Sequence, residues 1–338
     1  MQENNYNLVD KIEINKSSTI LVVIPTYNSY EITRSTVSKL YNQTGVNIDI
    51  LVVDNGSSDY SKLSNDFSNL SYISLKKNTG SSGAQWFGIN TAVRYKYDYV
   101  VLTDNDAVLI GTDALGKLYK VIESNRSLGC VVPSHIELPI KKNKYHTRQL
   151  PLHYLFVRTS IFNSFDIHNF YLFLLTDDVS LVSKIVTNSK LLVVSNVSYY
   201  HDIFKPRILQ NISNYFYIRG FLIILLKENG ISVRLKLIHF GHLLYKIFVC
   251  FVHSIVLLDY SYIITVYLAF RNYFTCYKEV WSDRVPQNKY VYVERDFNTG
   301  KAHKLTALNT IFPKKCYYLD LVYFNKRIYF VRTRNTDK

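Results

Sequence analysis

Thr19-Ile20-Leu21-Val22-Val23-Ile24, stopped by Pro25, is the stretch on which the reading of the fold turns. The run is too short for a core helix and shows no polar alternation. Such a run is a strand buried on both faces, as in a parallel sheet covered by helices on either side. The pattern recurs downstream. Glu31 to Tyr41 has helical spacing, with Ile32, Val37 and Leu40 as its candidate buried face. Ile48 to Val53 is a second buried strand, broken by Asp54-Asn55-Gly56-Ser57. A further helical stretch leads to a third strand at Leu70–Leu75. Gly80, Gly83 and Gly88 surround the start of a helix expected from about Trp86 to Arg94, and a fourth strand, Tyr97 to Thr103, runs into Asp104-Asn105-Asp106. Strands alternating with helices predict an α/β domain with a mostly parallel sheet. Ligands of such sheets bind beyond the carboxyl ends of the strands. The clusters Thr26-Tyr27-Asn28, Asp54-Asn55-Gly56-Ser57 and Asp104-Asn105-Asp106 are therefore expected to converge on one edge.

The acidic residues carry two readings each. If the chain stays extended, Asp104 and Asp106 face the same side and make a site for a hard divalent cation; the same three residues are also good turn composition. Asp177-Asp178 follows the apolar stretch Tyr171–Thr176. Mutual repulsion and desolvation raise the pKa of such a pair, which suits a proton acceptor. The pair equally fits a helix N-terminus with Thr176 as cap. His201, after the apolar run Leu191–Val194, is either a metal ligand beside Asp106 or an ordinary core or surface histidine. The three glycines do not form a phosphate-cradling loop of either common pattern; they let a helix start approach a ligand or the sheet closely.

Composition bounds the rest. The 338 residues hold enough apolar side chains, 48%, for a sizeable core. The net charge of +14 attracts anions, whether nucleic acid, acidic lipid or phosphorylated substrates, without choosing among them. The four cysteines are scattered with no Cys-x-x-Cys pair, which argues against a zinc site or a disulfide framework. Residues 1–17 read as a polar, flexible tail without the basic-then-apolar order of a signal peptide, so a cytoplasmic chain is expected. After about Lys205 the stretches Phe221–Leu226, Leu243–Leu258 and Tyr262–Phe270 are apolar and helical, but Lys246, His253 and Asp259 interrupt the longest. With Lys227, Arg234, Lys236 and Arg271 nearby, an interfacial helical region fits better than a span; a helical subdomain packed on the first domain is the other reading. Short Tyr and Val runs between Lys289 and Val331 suggest a small β element.

The order Ile24-Pro25-Thr26-Tyr27-Asn28, Val53-Asp54-Asn55-Gly56-Ser57-Ser58-Asp59, Asn78-x-Gly80-x-x-Gly83, Leu102-Thr103-Asp104-Asn105-Asp106, Asp177-Asp178 and His201 resembles the family 2 glycosyltransferases of GT-A fold. Within them it is similar to the galactofuranosyl- and rhamnosyltransferase-like branch. The resemblance covers roughly residues 18–220. It implies a Rossmann-like GT-A domain over residues 18–205 and a helical, membrane-facing region over 206–338. Thr26 and Tyr27 would then line the base and ribose of a UDP- or dTDP-linked sugar, and Asp54 and Asn55 would hydrogen-bond the base. Asp104 would contact the ribose or sugar, while Asp106 and His201 would hold Mn2+ or Mg2+. Asp178 would be the general base of an inverting transfer, supported by Asp177. The implied acceptor is a glycan on a polyprenyl diphosphate at the inner face of the cell membrane, in bacterial surface polysaccharide assembly. Several features depart from the pattern. After the acidic pair a second acid, Leu and then Arg are usual, and here the segment reads Ser180-Leu181 and later Lys184; Gly220 follows Arg219 where an Asn is usual; and the region between Cys130 and Phe165, where the acceptor is usually read, matches poorly.

A non-catalytic relative that only binds nucleotide sugar or glycan, and a nucleotidyltransferase, are the rival readings. The second would show a basic, Gly-rich grip near the first strand. A nucleic-acid binder would concentrate its basic residues on one face of the α/β domain, whereas here they spread through the C-terminal half.

Overall fold

Two-sided burial makes the strands, and alternation along each strand assigns its two faces. The computed structural model describes residues 8–9, 18–58, 61–135, 153–167, 170–201, 210–256, 258–286, 321–323 and 326–328. In chain order the elements are β1 (Leu8–Val9), β2 (Ile20–Thr26), α1 (Tyr30–Tyr41), β3 (Ile48–Asp54), α2 (Ser61–Asp66), β4 (Ser71–Leu75), α3 (Gly80–Arg94), β5 (Tyr99–Thr103), β6 (Ala107–Leu109), α4 (Ala114–Ser124), β7 (Leu128–His135), β8 (Tyr154–Arg158), α5 (Asp177–Asn188), β9 (Lys190–His201), α6 (Gln210–Leu226), α7 (Val233–Val256), α8 (Ser261–Cys276), β10 (Leu321–Tyr323) and β11 (Lys326–Ile328). The chain divides into two compact units, Met1–Lys205 with Gly220–Phe240, and Pro206–Arg219 with Gly241–Lys338.

The first unit holds a nine-stranded sheet of order β1-β4-β3-β2-β5-β8-β7-β9-β6. Its half β4-β3-β2-β5 is parallel, as the alternating pattern requires. Beyond β5 the sheet is mixed: β8 runs antiparallel to β5 and β7, β9 is parallel to β7, and β6 is antiparallel to β9. The two-residue β1, within the expected tail, pairs antiparallel with Ser74 and Leu75.

Side chains along β2 alternate between two cores. Ile20, Val22 and Ile24 join Val37 and Leu40 of α1 and Leu115, Leu118 and Ile122 of α4. Leu21 and Val23 join Ala84, Ile89 and Ala92 of α3 and Leu181 and Ile185 of α5. Each such fully buried aliphatic side chain contributes about 1.5–3 kcal/mol. Gly88 sets how close α3 lies to the sheet, because a Cβ there would meet Val23 Cγ1 at 2.2 Å.

One local expectation is corrected, and one pair of alternatives is decided. Helix α3 begins at Gly80 and not near Trp86. Gly80-Ser81-Ser82-Gly83 has little intrinsic helix preference, but the Ser82 N–H donates to Phe173 O at 3.2 Å and ties that first turn down. Asp104-Asn105-Asp106 is not extended: Ala107 N–H donates to Asp104 O at 3.2 Å, closing a turn between β5 and β6. Asn105 anchors that turn, its carbonyl accepting from Thr36 Oγ1 at 2.7 Å and its amide donating to Thr33 Oγ1 at 3.1 Å.

In the second unit Arg219 is fully buried. Its guanidinium donates to Asn272 Oδ1 at 2.7 Å and to Glu279 O at 3.0 Å, and the Tyr215 hydroxyl donates to the same Asn272 oxygen at 2.7 Å. Arg219 is thus a hydrogen-bonding hub between helices. Helix α7, at 24 residues and with Lys246 and His253 inside it, is long and apolar enough by length and composition to cross a membrane. Lys246 Nζ sits 4.2 Å from the Tyr217 ring centre and His253 packs edge-on to Tyr262 at 5.1 Å, so both are turned onto aromatic rings. The small β element expected near the C-terminus is present as the hairpin-like pair β10–β11.

Candidate active site

Strands β2, β3 and β5 are parallel neighbours, so Thr26, Asp54 and Asp104 come to the same edge of the sheet. Two antiparallel registers then bring imidazoles to the Asp104–Asp106 turn. Thr103 pairs with Tyr154, and Asp104 N–H donates to His153 O at 3.2 Å, which places His153 beside Asp104. Ala107 pairs with His201, which places that ring beside Asp106.

The side chains close the cluster. Asp104 Oδ2 is 2.7 Å from His153 Nδ1 and 3.7 Å from His201 Nε2, and His201 Nε2 is 3.1 Å from Asp106 Oδ1. The two imidazoles stack at 4.0 Å with 14° between planes. Burial resists ionisation of Asp104, but hydrogen bonds and charge from His153 and His201 outweigh it and hold the carboxyl well below the usual carboxylate range. Burial alone would lower the His201 pKa; hydrogen bonds to Asp104 and Asp106 override it and raise the ring to about 9. Asp104, His153 and His201 offer ligand atoms that all lie within 4.8 Å of one another. Carboxylate oxygens and imidazole nitrogens at that spacing fit a divalent cation.

The second acidic pair opens α5. Asp177 and Asp178 occupy the first turn, where the helix dipole favours negative charge. Thr176 stands at the cap position but makes no capping bond with its side chain; its hydroxyl is buried against Gly220, where a Cβ would meet it at 2.0 Å. Ser81 Oγ donates to Asp177 Oδ2 at 2.6 Å, and Val179 N–H donates to Asp178 Oδ1 at 2.7 Å. Burial pushes Asp177 up to about 6 in spite of the Ser81 hydroxyl, with Asp104 adding to the rise. Burial and then the Asp177 charge push Asp178 well above the ordinary value, again with a contribution from Asp104. That shared influence of Asp104 ties the two acidic groups to one electrostatic neighbourhood.

The approach to the pair is strained. Phe173 (φ 68°) and Leu175 (φ 69°) adopt left-handed backbone, which bulky L-residues rarely do. Gly80, at φ 71°, passes so close that a Cβ would stand 2.0 Å from Phe173 O. Only glycine fits that crossing.

Residues 21–179 match the family model described as Glycosyl transferase family 2. The match spans just under half of the chain, and over that stretch the chain is similar to the family. No curated protein sequence matches the chain. Among solved structures, residues 1–349 of S. aureus TarS in complex with UDP-GlcNAc align with a TM-score of 0.52 at 16% identity, covering 68% of this chain and 72% of that one. The same protein with UDP aligns at 0.51 and 17% identity, covering 67% and 70%, and the longer TarS chain is covered to 43%. A mannosyltransferase from Pyrobaculum calidifontis, solved with GDP-Man and Mn2+, aligns at 0.48 and 15% identity over 77% and 76%. At these identities the TarS matches establish the fold, which is GT-A.

Within this GT-A domain the sequence-predicted residues divide into three groups. Asp104, Asp106 and His201 meet in one cluster, and Asp177 and Asp178 stand together at the start of α5. The third group, Thr26, Tyr27, Asp54 and Asn55, lies at the ends of β2 and β3, but only Tyr27 presents an open side chain, 48% exposed. Thr26 Oγ1 is hydrogen-bonded to Thr33 Oγ1 at 2.7 Å. Asp54 accepts from Ser57 N at 2.9 Å, Gly56 N at 3.2 Å and the Ser57 hydroxyl. Asn55 Oδ1 accepts from Thr79 N at 3.0 Å and Thr79 Oγ1 at 2.8 Å. In this state Asp54 and Asn55 brace the loops that shape the edge. Sequence reasoning passed over His153 and Ser81. Both act through tertiary pairing: His153 belongs to no local motif, and Ser81 stands at an unspecified position of Asn78-x-Gly80-x-x-Gly83.

Proposed function

We propose that the domain transfers a sugar from a nucleoside diphosphate, UDP- or dTDP-linked, to an acceptor hydroxyl with inversion at the anomeric carbon. The observation that carries this reading is the carboxylate–imidazole cluster of Asp104, Asp106, His153 and His201 at the carboxyl edge of the sheet, in a domain whose α5 opens on the buried pair Asp177 and Asp178. Tyr27 offers the base an exposed ring, and the loops braced by Asp54 and Asn55 support the nucleotide. Asp106 and His201 hold Mn2+ or Mg2+, and Asp104, which the resemblance gave to the ribose or sugar, turns its Oδ2 toward the same imidazole and joins them. That cation supplies positive charge for the diphosphate as it leaves. Asp178 accepts the proton of the attacking hydroxyl, and its raised pKa makes it a stronger base than an exposed carboxylate. Asp177, fixed by Ser81, holds Asp178 in that high-pKa state.

The acceptor in this reading is a glycan on a polyprenyl diphosphate, met at the cytoplasmic face of the membrane during bacterial surface polysaccharide assembly. Support comes from exposed apolar side chains at helical spacing: Leu244, Phe248, Phe251 and Ile255 on α7, and Tyr260, Ile264, Tyr267 and Phe274 along α8. Arg271, on α8, adds positive charge suited to anionic lipid.

A thermal-shift screen of nucleotide sugars with and without Mn2+ tests the donor. Saturation at a hundred times Kd stabilises by about 2.7 kcal/mol. Asp178→Asn is expected to keep the donor-dependent shift and lose transfer. Normal turnover by Asp178→Asn, or no shift from any nucleotide sugar, removes the proposal.

A further inference from the structure

His153 belongs to none of the motifs quoted above, yet its ring joins the cluster, bonded to Asp104 and stacked on His201. Its Nδ1 and the Nε2 of His201 face the same oxygen, Asp104 Oδ2, at 2.7 and 3.7 Å. A histidine that merely orients a ligating carboxylate takes the oxygen turned away from the ion, so that the other remains for the metal. Here one oxygen and two ring nitrogens converge on a common space, with Asp106 Oδ1 next to the second nitrogen. Two donors bonded to one cation at about 2.1 Å and at right angles lie about 3 Å apart, close to the separations of 2.7 and 3.1 Å and short of the 3.7 Å one.

The arrangement is also built in advance. The Asp104 N–H···O=C His153 bond and the Thr103–Tyr154 register fix the His153 backbone, while the stacked His201 ring at 4.0 Å fixes its plane. Neither constraint waits for substrate.

We propose that His153 is a ligand of the cation at this site, alongside His201 and Asp104. Two imidazole nitrogens then enter the shell, and the site favours Mn2+ over Mg2+. The inference rests on the transferase reading for its choice of a divalent cation, and on the geometry alone for its ligands. Magnesium is a hard ion that keeps oxygen and water, whereas imidazole suits the transition metals.

The experiment is pulsed EPR on the full chain titrated with Mn2+, counting coupled ring nitrogens by electron spin-echo envelope modulation, with Mg2+ as competitor. Two nitrogens are expected in the unmodified chain and one in His153→Ala. The variant's Mn2+ dissociation constant should rise at least tenfold. Mg2+ should displace Mn2+ only at more than tenfold excess from the unmodified chain, and more readily from the variant. One nitrogen in the unmodified chain, an unchanged count in a folded variant, Mg2+ competing equally, or no Mn2+ binding overturns the proposal. The count on the unmodified chain decides even if His153→Ala fails to fold. One coupled nitrogen with nucleotide sugar still bound would leave the transferase reading standing without His153 as ligand. Two nitrogens with no nucleotide sugar bound would do the reverse.

Discussion

Replacing Asp177 by Asn should stabilise the protein, and only above a certain pH. Asp177 is 3% exposed, and burial pushes its pKa from the ordinary 3.8 to about 6. The folded state therefore holds a proton that the unfolded chain releases earlier. Below pH 4 both states are protonated and the shift has no effect. As pH rises from 4 through 6 the folded state is progressively penalised, and above 6 the penalty is complete. Two pKa units correspond to about 3 kcal/mol. The substituted carboxamide keeps the acceptor that Ser81 Oγ–H needs, with its amide oxygen in place of Oδ2. It also removes the charge that, after burial, does most to raise Asp178. Unfolding followed in metal-free buffer should show Asp177→Asn melting several degrees above the parent at pH 8, with the two converging near pH 4. Equal melting temperatures at pH 8, or a difference independent of pH, would refute the argument that this pair is held against its own charge. The same variant should lose transfer activity, as expected where stability is given up for chemistry.

Two further outcomes follow from the packing around the pair. Gly80→Ala adds a Cβ 2.0 Å from Phe173 O at a φ of 71°, so the segment leading to Asp177 must move; steady-state kinetics should show kcat reduced at least tenfold with the donor KM little changed. Lys184 and Glu228, 1% and 3% exposed, form an ion pair at 2.5 Å. Lys184→Met removes the cation beside a buried carboxylate and should destabilise by about 3–5 kcal/mol, whereas Lys184→Met with Glu228→Leu should recover most of the loss in chemical denaturation.

The parallel half of the sheet was legible because two-sided burial writes itself as an unbroken apolar run. Ile20–Ile24, Ile50–Val53 and Tyr99–Leu102 are buried throughout, and no other element of that length is compatible with such a run. The mixed half was not legible. His153 matters only because β8 enters antiparallel to β5 in one register; a shift of one residue would turn its ring to the other face. Nothing within a few residues of His153 encodes that register. The start of α3 was missed for the complementary reason. Its local preference is weak, and the bond that secures it comes from Phe173, far along the chain. Asp54 and Asn55 show a third kind of gap: their types and place were right for a ligand edge, but hydrogen bonds to Ser57 and Thr79 occupy them in this structure.

Two of the departures from the pattern of the resembled family, Lys184 and Gly220, sit at or against α5. Lys184, where an Arg is usual, is buried in α5, pairs with Glu228 and donates to Asp166 O at 2.8 Å. One residue earlier, Ser183 Oγ is hydrogen-bonded to His239 Nε2 at 2.7 Å. Gly220, where an Asn is usual, leaves room for the Thr176 hydroxyl immediately before Asp177. Both changes therefore fall on the support behind α5, and each is answered by a specific partner on α6, α7 or the turn between them. The buried pair, its raised pKa values and the left-handed backbone at Phe173 and Leu175 all cost stability. The proposed transfer gives that cost a use, because a proton acceptor needs a carboxylate whose charged form is disfavoured.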